Sequence, residues 1–235
     1  GPKDGEYTFR LLTTNDVHGR YFDSLYVNDR TNNSLLNVSW YADSLRKAEG
    51  AENIILVDAG DCLQGDNAAY YYNYVDTASP HLFARMVDHI GYDAVVVGNH
   101  DIETGHPVYD RVDAQMNTPF LAANAIRTDD GKPYFQEYVT LKRHGLRITI
   151  LGFTNPNIKN WLSPLLWEGM EFKSLLPFVQ ETVDRVVAQE KSDVVIVAVH
   201  AGTGEGDGSQ LESQGLDLLN SLEGVDFVVC SHDHR

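Results

Sequence analysis

The sequence predicts an α/β fold in which layers of sheet and helix pack on one another. Short apolar runs alternate with amphipathic stretches along the 235 residues, as they do in successive β–α units. Several of these runs are β-branched and continuously apolar, which is typical of strands buried on both faces. The composition, with 43% hydrophobic and 22% charged residues, is that of an ordinary globular protein and argues against disordered and fibrous classes.

Six apolar runs predict the strands of this fold, at 9–13, 53–57, 94–97, 147–151, 194–199 and 226–230. One helix is expected to have Ser79 as its N-cap and Pro80 in its first turn, and to stop at Gly91. Its apolar face comprises Leu82, Phe83, Met86, Val87 and Ile90. A second helix is predicted over about 174–190, with its inward positions at Leu176, Val179, Val183 and Val186 or Val187.

The charge balance limits the classes of partner. A formal net charge of −16 repels a phosphate backbone, so binding to a nucleic-acid polymer is not expected. The longest apolar runs, such as 194–199, fall far short of the ~18 residues that a membrane span needs, so no span is expected either. An enzyme that acts on anions remains compatible with this chain if it binds its own cations.

Polar side chains follow five of the six predicted strands at the point where each strand ends. They are Asp16 and His18 after the first strand, Asp61 after the second, Asn99 and His100 after the third, His200 after the fifth, and His232 and His234 after the sixth. In open α/β sheets, ligands bind outside the carboxyl ends of the strands. The sequence therefore predicts a site at this edge.

Taken singly, each of these residues has a simpler explanation. Asp16 with His18 is typical of a turn before a capped helix, and Asp61 after a glycine is a common N-cap. Asn99 beside a glycine is typical of a tight turn, and His200 alone is typical of a core histidine. All these explanations would have to hold together at one edge of one sheet, so a shared site is favoured. The remaining histidines are interpreted as structural: His81, His89, His106 and His144.

The residue types indicate a pair of divalent metal ions. Carboxylate, imidazole and amide donors without a thiolate suit Mn, Zn, Fe, Co or Ni. Side chains two apart in an extended segment share a face, which applies to Asp16 and His18 and to His232 and His234. Asp61 could bridge two ions ~3.5–4 Å apart, and such a pair would lower the pKa of a shared water and clamp a phosphoryl group for in-line attack.

Five sequence blocks occur in a fixed order: TTNDVHG, DAGDCLQG, VGNHD, VAVHAG and CSHDH. Together they resemble the signature blocks of the calcineurin-like metallophosphoesterases. Three further segments resemble the 5′-nucleotidase branch, which includes the periplasmic 2′,3′-cyclic-nucleotide phosphodiesterases: FLAANAI, GKPYFQEYV and RITILGFTNPNIKNW. The resemblance spans roughly 6–234 and implies a β-sandwich flanked by helices.

The resemblance also implies roles for individual residues. The first metal would be held by Asp16, His18, Asp61 and His234. The second would be held by Asp61, Asn99, His200 and His232. Asn99 and His100 would bind the substrate.

A histidine beside the ligand Asn99 is implied to be catalytic. His100 would stabilise or protonate the leaving oxygen. Many family members pair this histidine with an Asp four residues after the metal-binding Asn, where this chain has Glu103, one methylene longer. Asp101 stands where the family usually has Glu, and no catalytic role is assigned to it.

The implied activity is hydrolysis of nucleotide phosphate esters by a metal-bridging hydroxide, with a 5′-nucleotide or a 2′,3′-cyclic nucleotide as the small-molecule substrate. The implied catalytic domain covers 6–235 and lacks its last strands, and a C-terminal nucleotide-binding domain is expected to be absent from this chain. Periplasmic or cell-surface placement follows from the same branch. Two alternatives stay open: action on another ester, such as a phosphodiester, a sugar diphosphate or a thiosulfate adduct, and a non-catalytic binding module. The sequence predicts no oligomeric state.

Overall fold

The computed structural model describes residues 4–15, 17–18, 21, 34–201 and 214–231. Within these ranges the strands are β1 (Arg10–Thr14), β2 (Ile54–Asp58), β3 (Ala94–Val96), β4 (Phe120–Leu121), β5 (Ala125–Arg127), β6 (Tyr138–Arg143), β7 (Leu146–Phe153), β8 (Met170–Phe172), β9 (Val194–Val199) and β10 (Phe227–Cys230). The α-helices are α1 (Leu35–Glu49), α2 (Asn67–Tyr70), α3 (Leu82–Ile90), α4 (Asn99–Glu103), α5 (His106–Gln115), α6 (Ile158–Trp161), α7 (Leu175–Glu190) and α8 (Gly215–Ser221).

The strands form two four-stranded sheets and a short ribbon. The first sheet has the order β1-β2-β3-β4 and is parallel throughout. The second has the order β10-β9-β7-β6, in which β10, β9 and β7 are parallel and β6 is antiparallel to β7. The ribbon pairs β5 with β8. The parallel pairing brings the carboxyl ends of β1, β2 and β3 to one edge, and those of β7, β9 and β10 to one edge of the other sheet.

The two sheets pack face to face. Their shared core contains Ile55, Val57, Ala94, Val96, Leu121, Ile148, Ile150, Ile196 and Ala198. At Gly152 the sheets approach so closely that a Cβ would lie 3.1 Å from Leu121 Cδ1 and closer still to Leu121 Cβ. The predicted α/β layered fold is confirmed, and the layers are those of a β-sandwich.

Helices cover the outer faces of both sheets. Leu56 of β2 packs in a cluster with residues of α3 and α5, including Phe83 and Val112. On the other sheet, Val197 of β9 packs in a cluster with Val183 of α7. Alternate residues of each central strand thus face the partner sheet or the helices. This two-sided burial is the physical reason for the continuously apolar runs.

All six predicted strands are present, with bounds shifted by two residues or fewer. The helix over 82–90 is also present, but Ser79 as its N-cap is wrong. The N-cap is His81, whose Nδ1 accepts a hydrogen bond from Phe83 N at 3.1 Å. Ser79 N instead donates to Asp76 Oδ1 at 3.0 Å. Because the helix begins at Leu82, Pro80 precedes it.

The second predicted helix is α7, and its N-cap is Ser174. Val179, Val183 and Val186 are buried as predicted, while Leu176 and Val187 are half-buried at the edge of the same cluster. No helix in the described part of the chain is long and apolar enough to cross a membrane.

Candidate metal centre

Three of the predicted metal ligands lie at the carboxyl ends of strands from both sheets. Asp61 follows β2 by three residues, Asn99 is the first residue of α4 after β3, and His200 comes directly after β9. Asp61 and His200 are fully buried, and Asn99 is 6% exposed. The face-to-face packing of the sheets therefore brings these three side chains to one buried position.

Their donor atoms converge. His200 Nε2 lies 2.9 Å from Asn99 Oδ1 and 3.1 Å from Asp61 Oδ2. The other carboxylate oxygen, Asp61 Oδ1, accepts a hydrogen bond from His100 N at 2.9 Å. A carboxylate oxygen and an amide oxygen thus both lie within about 3 Å of one imidazole nitrogen.

Two groups that sequence reasoning did not single out set the protonation of His200. Its Nδ1 lies 2.7 Å from Ala59 O and 2.7 Å from Ser231 Oγ. A carbonyl oxygen can only accept, so Nδ1 carries a proton. Nε2 faces two further oxygens, and it would present its lone pair to a metal ion bound among them. Metal-binding histidines show this pattern, with the second ring nitrogen donating to a carbonyl. The one signal for Ser231 was its place in the CSHDH block.

The loop that carries Asp61 adopts an unusual backbone conformation. Asp61 has φ 65°, in the left-handed region that non-glycine residues seldom occupy. Such a conformation costs about 1–3 kcal/mol and is concentrated at functional sites. The loop also fits tightly, because a Cβ on Gly60 would lie 2.6 Å from His200 Nδ1. The loop that carries Asp61 therefore packs directly against His200.

A second buried carboxylate, Asp58, supports the same loop from the end of β2. It accepts hydrogen bonds from Thr14 Oγ1 at 2.6 Å, from Gly60 N at 2.8 Å and from Cys62 Sγ at 2.9 Å. Burial raises the pKa of Asp58 to about 7, against the lowering effect of these donors. Asp58 therefore ties the end of β1 to the loop after β2.

The predicted catalytic pair lies beside this position. His100 Nδ1 is 2.7 Å from Glu103 Oε2, so the longer carboxylate side chain reaches the ring across one turn of α4. Both side chains are about one-third exposed. The ring of His18 lies edge-on to the ring of His100, with centroids 5.2 Å apart, and His18 N donates to Asp61 O at 2.8 Å. Glu103 orients the imidazole at the open side of the site.

Three predicted ligands, Asp16, His232 and His234, lie outside the described residues. Among the described residues, no group of three or more His, Cys, Asp and Glu side chains surrounds one metal position. The described donors that converge are one carboxylate, one amide and one imidazole, and a second imidazole, that of His18, lies beside His100. These oxygen and nitrogen donors fit a divalent ion such as Mn or Zn.

The histidines interpreted as structural make contacts that differ from those of the site. His81 is buried and bonds to Asn73, with Nε2 and Oδ1 2.7 Å apart. His106 bonds to Asp110 at 3.0 Å, and His144 bonds to Asn53 at 2.6 Å. His89 is exposed on α3.

Comparisons with known proteins point to one family. The family model for calcineurin-like phosphoesterase matches residues 9–235. Protein UshA of Yersinia enterocolitica is 26% identical over 202 residues, which cover 85% of this chain and 35% of that protein. The 2′,3′-cyclic-nucleotide 2′-phosphodiesterase/3′-nucleotidase of Yersinia enterocolitica is 24% identical over 241 residues, which cover 96% of this chain and 36% of that protein.

A solved structure shares the fold. The calcineurin-like phosphoesterase YfkN of Bacillus subtilis superposes with a TM-score of 0.83 at 24% identity, over 96% of this chain and 72% of that one. The chain spans about a third of the length of the two curated relatives.

Proposed function

Because the chain belongs to the calcineurin-like phosphoesterase family, we propose that it hydrolyses phosphate esters of nucleotides with two bound divalent metal ions. The observation that carries the proposal is the convergence of Asp61 Oδ2, Asn99 Oδ1 and His200 Nε2 at the strand ends. His100 and Glu103 lie at the open side of the same position. The proposed site therefore combines metal donors with a proton donor.

The substrate class rests on likeness to relatives. One relative is named for action on 2′,3′-cyclic nucleotides and 3′-nucleotides, and three segments of this chain resemble the 5′-nucleotidase branch. We infer a 5′-mononucleotide or a 2′,3′-cyclic nucleotide as the substrate. A chain with a net charge of −16 needs bound cations to attract such an anion, which agrees with a metal-dependent reaction.

Divalent ions bound at this position would supply positive charge for the phosphoryl oxygens and would lower the pKa of a coordinated water. The proposed ligands are Asp16, His18, Asp61 and His234 for one ion. For the other they are Asp61, Asn99, His200 and His232. Such a site would accelerate the reaction mainly by stabilising the negative charge that develops on the phosphoryl group.

The chain's own side chains bind and protonate the substrate. Asn99 turns Oδ1 toward His200, so its amide NH2 group is the part that can donate to a phosphoryl oxygen. His100 directs Nδ1 to Glu103, so Nε2 is the ring nitrogen that gives a proton to the departing alkoxide. Glu103 holds the ring in the orientation that this step requires.

The proposal includes a periplasmic or cell-surface location for the enzyme. It rests on the sequence blocks that resemble the branch containing periplasmic phosphodiesterases. Fractionation of cells that express the natural gene tests it. Recovery of the protein and its phosphatase activity in the cytoplasmic fraction alone would contradict the location.

The activity is tested by assaying the purified protein with Mn²⁺ on a chromogenic phosphomonoester. We expect metal-dependent turnover by the wild type and none by Asp61→Asn, because the change removes the proposed bridging charge. The matched control is Asp88→Asn, since Asp88 also binds main-chain N–H groups but lies on α3. Turnover by Asp61→Asn at the wild-type rate would overturn the proposed mechanism.

The substrate class is tested by assaying AMP, 2′,3′-cyclic AMP, UDP-glucose, a chromogenic diester and a thiosulfate adduct side by side. We expect kcat/KM to be highest for one of the first two. A preference for UDP-glucose, the diester or the thiosulfate adduct would assign the site to that ester. Binding of Mn²⁺ without turnover of any ester would indicate a non-catalytic module.

A further inference from the structure

The carboxylate of Asp101 accepts hydrogen bonds from four main-chain N–H groups. Oδ2 accepts from Asp61 N at 3.0 Å and from Gly98 N at 2.8 Å. Oδ1 accepts from Cys62 N at 2.8 Å and from Leu63 N at 2.9 Å. The side chain is fully buried, and these four donors match the four lone-pair positions of a carboxylate.

The four donors belong to two separate loops of the proposed metal centre. Asp61, Cys62 and Leu63 form the loop after β2, and Gly98 forms the loop before α4. Three successive N–H groups that point at one anion make a concave binding nest, here occupied by a side chain of the protein. Asp101 therefore clamps the loop that carries Asp61 to the helix that carries Asn99.

The clamp acts where the backbone needs external support. Asp61 holds φ 65°, a conformation that persists only when surrounding contacts hold it. Two of the four hydrogen bonds fix the peptide groups on either side of Asp61 Cα, through Asp61 N and Cys62 N. These two bonds hold the backbone from which the Asp61 side chain extends.

We propose that Asp101 is a positioning residue that holds Asp61 in the orientation needed to bind metal. The role rests on the proposed function, because it presupposes that Asp61 is a ligand. Both carboxylate oxygens of Asp101 are engaged by main-chain N–H groups, so Asp101 is not proposed as a ligand. It acts through the main chain of Asp61, so its loss should weaken metal binding more than it weakens the fold.

The test makes the same Asp-to-Asn substitution at two carboxylates that accept main-chain hydrogen bonds. Asp101 lies at the proposed metal centre, and Asp88 lies on α3. Asp101→Asn keeps the shape but replaces one acceptor oxygen by an NH2 group, which faces main-chain donors. Asp88→Asn makes the same change on α3, where Asp88 accepts hydrogen bonds from Asn117 N at 3.0 Å and from Thr118 N at 2.8 Å. Each variant and the wild type are titrated with Mn²⁺, and the rise in Tm gives the Kd without any assay of activity.

We expect the Kd for Mn²⁺ to rise by about 10–100-fold in Asp101→Asn, the range found for groups that orient metal ligands. Its kcat at saturating Mn²⁺ should fall while KM stays the same. Asp88→Asn should lose stability but keep the wild-type Kd. A wild-type Kd in Asp101→Asn would overturn the positioning role, whereas a wild type without any response to Mn²⁺ would overturn the proposed function first.

A second measurement needs no variant and covers the case in which Asp101→Asn does not fold. Amide hydrogen exchange of the wild type reports whether the N–H groups of Asp61, Cys62 and Leu63 are held. Positioning by Asp101 predicts exchange as slow as that of the buried strand β2. Exchange as fast as that of exposed loops would overturn the proposal.

Discussion

Gly98 lies against the carboxylate of Asp61. A Cβ placed on Gly98 would lie 2.9 Å from Asp61 Cγ and closer still to Oδ1. Gly98 itself has φ −97°, a conformation open to any residue, so space and not backbone freedom requires glycine there. This contact makes Gly98 a probe of the Asp61 position.

The substitution Gly98→Ala should displace the Asp61 carboxylate from His200 and Asn99. We expect kcat/KM on a chromogenic phosphomonoester to fall about 10²-fold, since displacement of a catalytic group by about 1 Å has effects of that size. The Kd for Mn²⁺ should rise in parallel. Steady-state kinetics and a Mn²⁺ titration measure the two effects.

Gly152→Ala is the matched control for Gly98→Ala. It introduces a similar clash, with Leu121 between the two sheets, and should cost about 1–3 kcal/mol in the free energy of unfolding. The folded fraction should keep the wild-type Kd for Mn²⁺. Equal losses of metal affinity in both variants would show that Gly98→Ala acts through general destabilisation.

Ser231 is expected to tune the metal affinity through His200. Ser231→Ala removes the hydroxyl 2.7 Å from His200 Nδ1, and second-sphere losses of this kind raise a metal Kd by about 10–100-fold. Isothermal titration with Mn²⁺ measures the change. Ser221→Ala, which removes a hydroxyl bonded to Asp217 O at 2.6 Å, is the control and should bind Mn²⁺ as the wild type does. Unchanged Kd in Ser231→Ala would contradict this role.

We expect Glu103 to affect the rate of turnover and not the binding of metal ions. Glu103→Gln removes the charge 2.7 Å from His100 Nδ1, so kcat should fall by about 10²-fold while the metal content stays the same. Asp110→Asn alters another helical His–carboxylate pair, with His106, and should leave kcat unchanged. Loss of bound metal in Glu103→Gln would contradict the assignment, as would a wild-type kcat.

His81 should make the stability of the fold sensitive to acid. Its Nδ1 accepts from Phe83 N and its Nε2 donates to Asn73 Oδ1, so the contacts favour the neutral ring. Burial, with a smaller effect of Arg111, lowers the pKa of His81 from 6.5 to about 4. The unfolded chain therefore takes up a proton near pH 6.5 that the folded chain refuses until about pH 4.

The contribution of His81 is fully present above pH 6.5 and is lost as the pH falls toward 4. Over that range it amounts to about 3 kcal/mol. Denaturant unfolding of the wild type and His81→Gln across this range isolates it from the titration of other groups. The difference in unfolding free energy should shrink steadily on acidification, and a constant difference would contradict the lowered pKa of His81.

Strands buried on both faces were predictable from sequence, and elements with a mixed surface were not. The continuous apolar runs of β2 and β9 are enough to predict buried strands. The helix α1 was not predicted, because Trp40 and Tyr41 are 59% exposed and blur its apolar face. Strand β6 is half-buried and ends in Lys142 and Arg143, so it lacks the signal of a core strand.

The site was predictable where side chains act and not where the main chain acts. Asp61, Asn99 and His200 stand at strand ends, and the parallel order of the strands was enough to expect them together. The contact of His200 with Ala59 O could not be predicted, because every residue has a main-chain carbonyl group. The same holds for the N–H groups gathered by Asp101.

In the proposed mechanism Asp61 would be a ligand of both metal ions at the sheet edge. The number of Mn²⁺ ions per chain, measured by elemental analysis after reconstitution and removal of excess metal, tests it most directly. We predict two ions in the wild type and fewer than one in Asp61→Asn. A wild type that retains no metal, or an Asp61→Asn protein that retains both ions, would contradict the account.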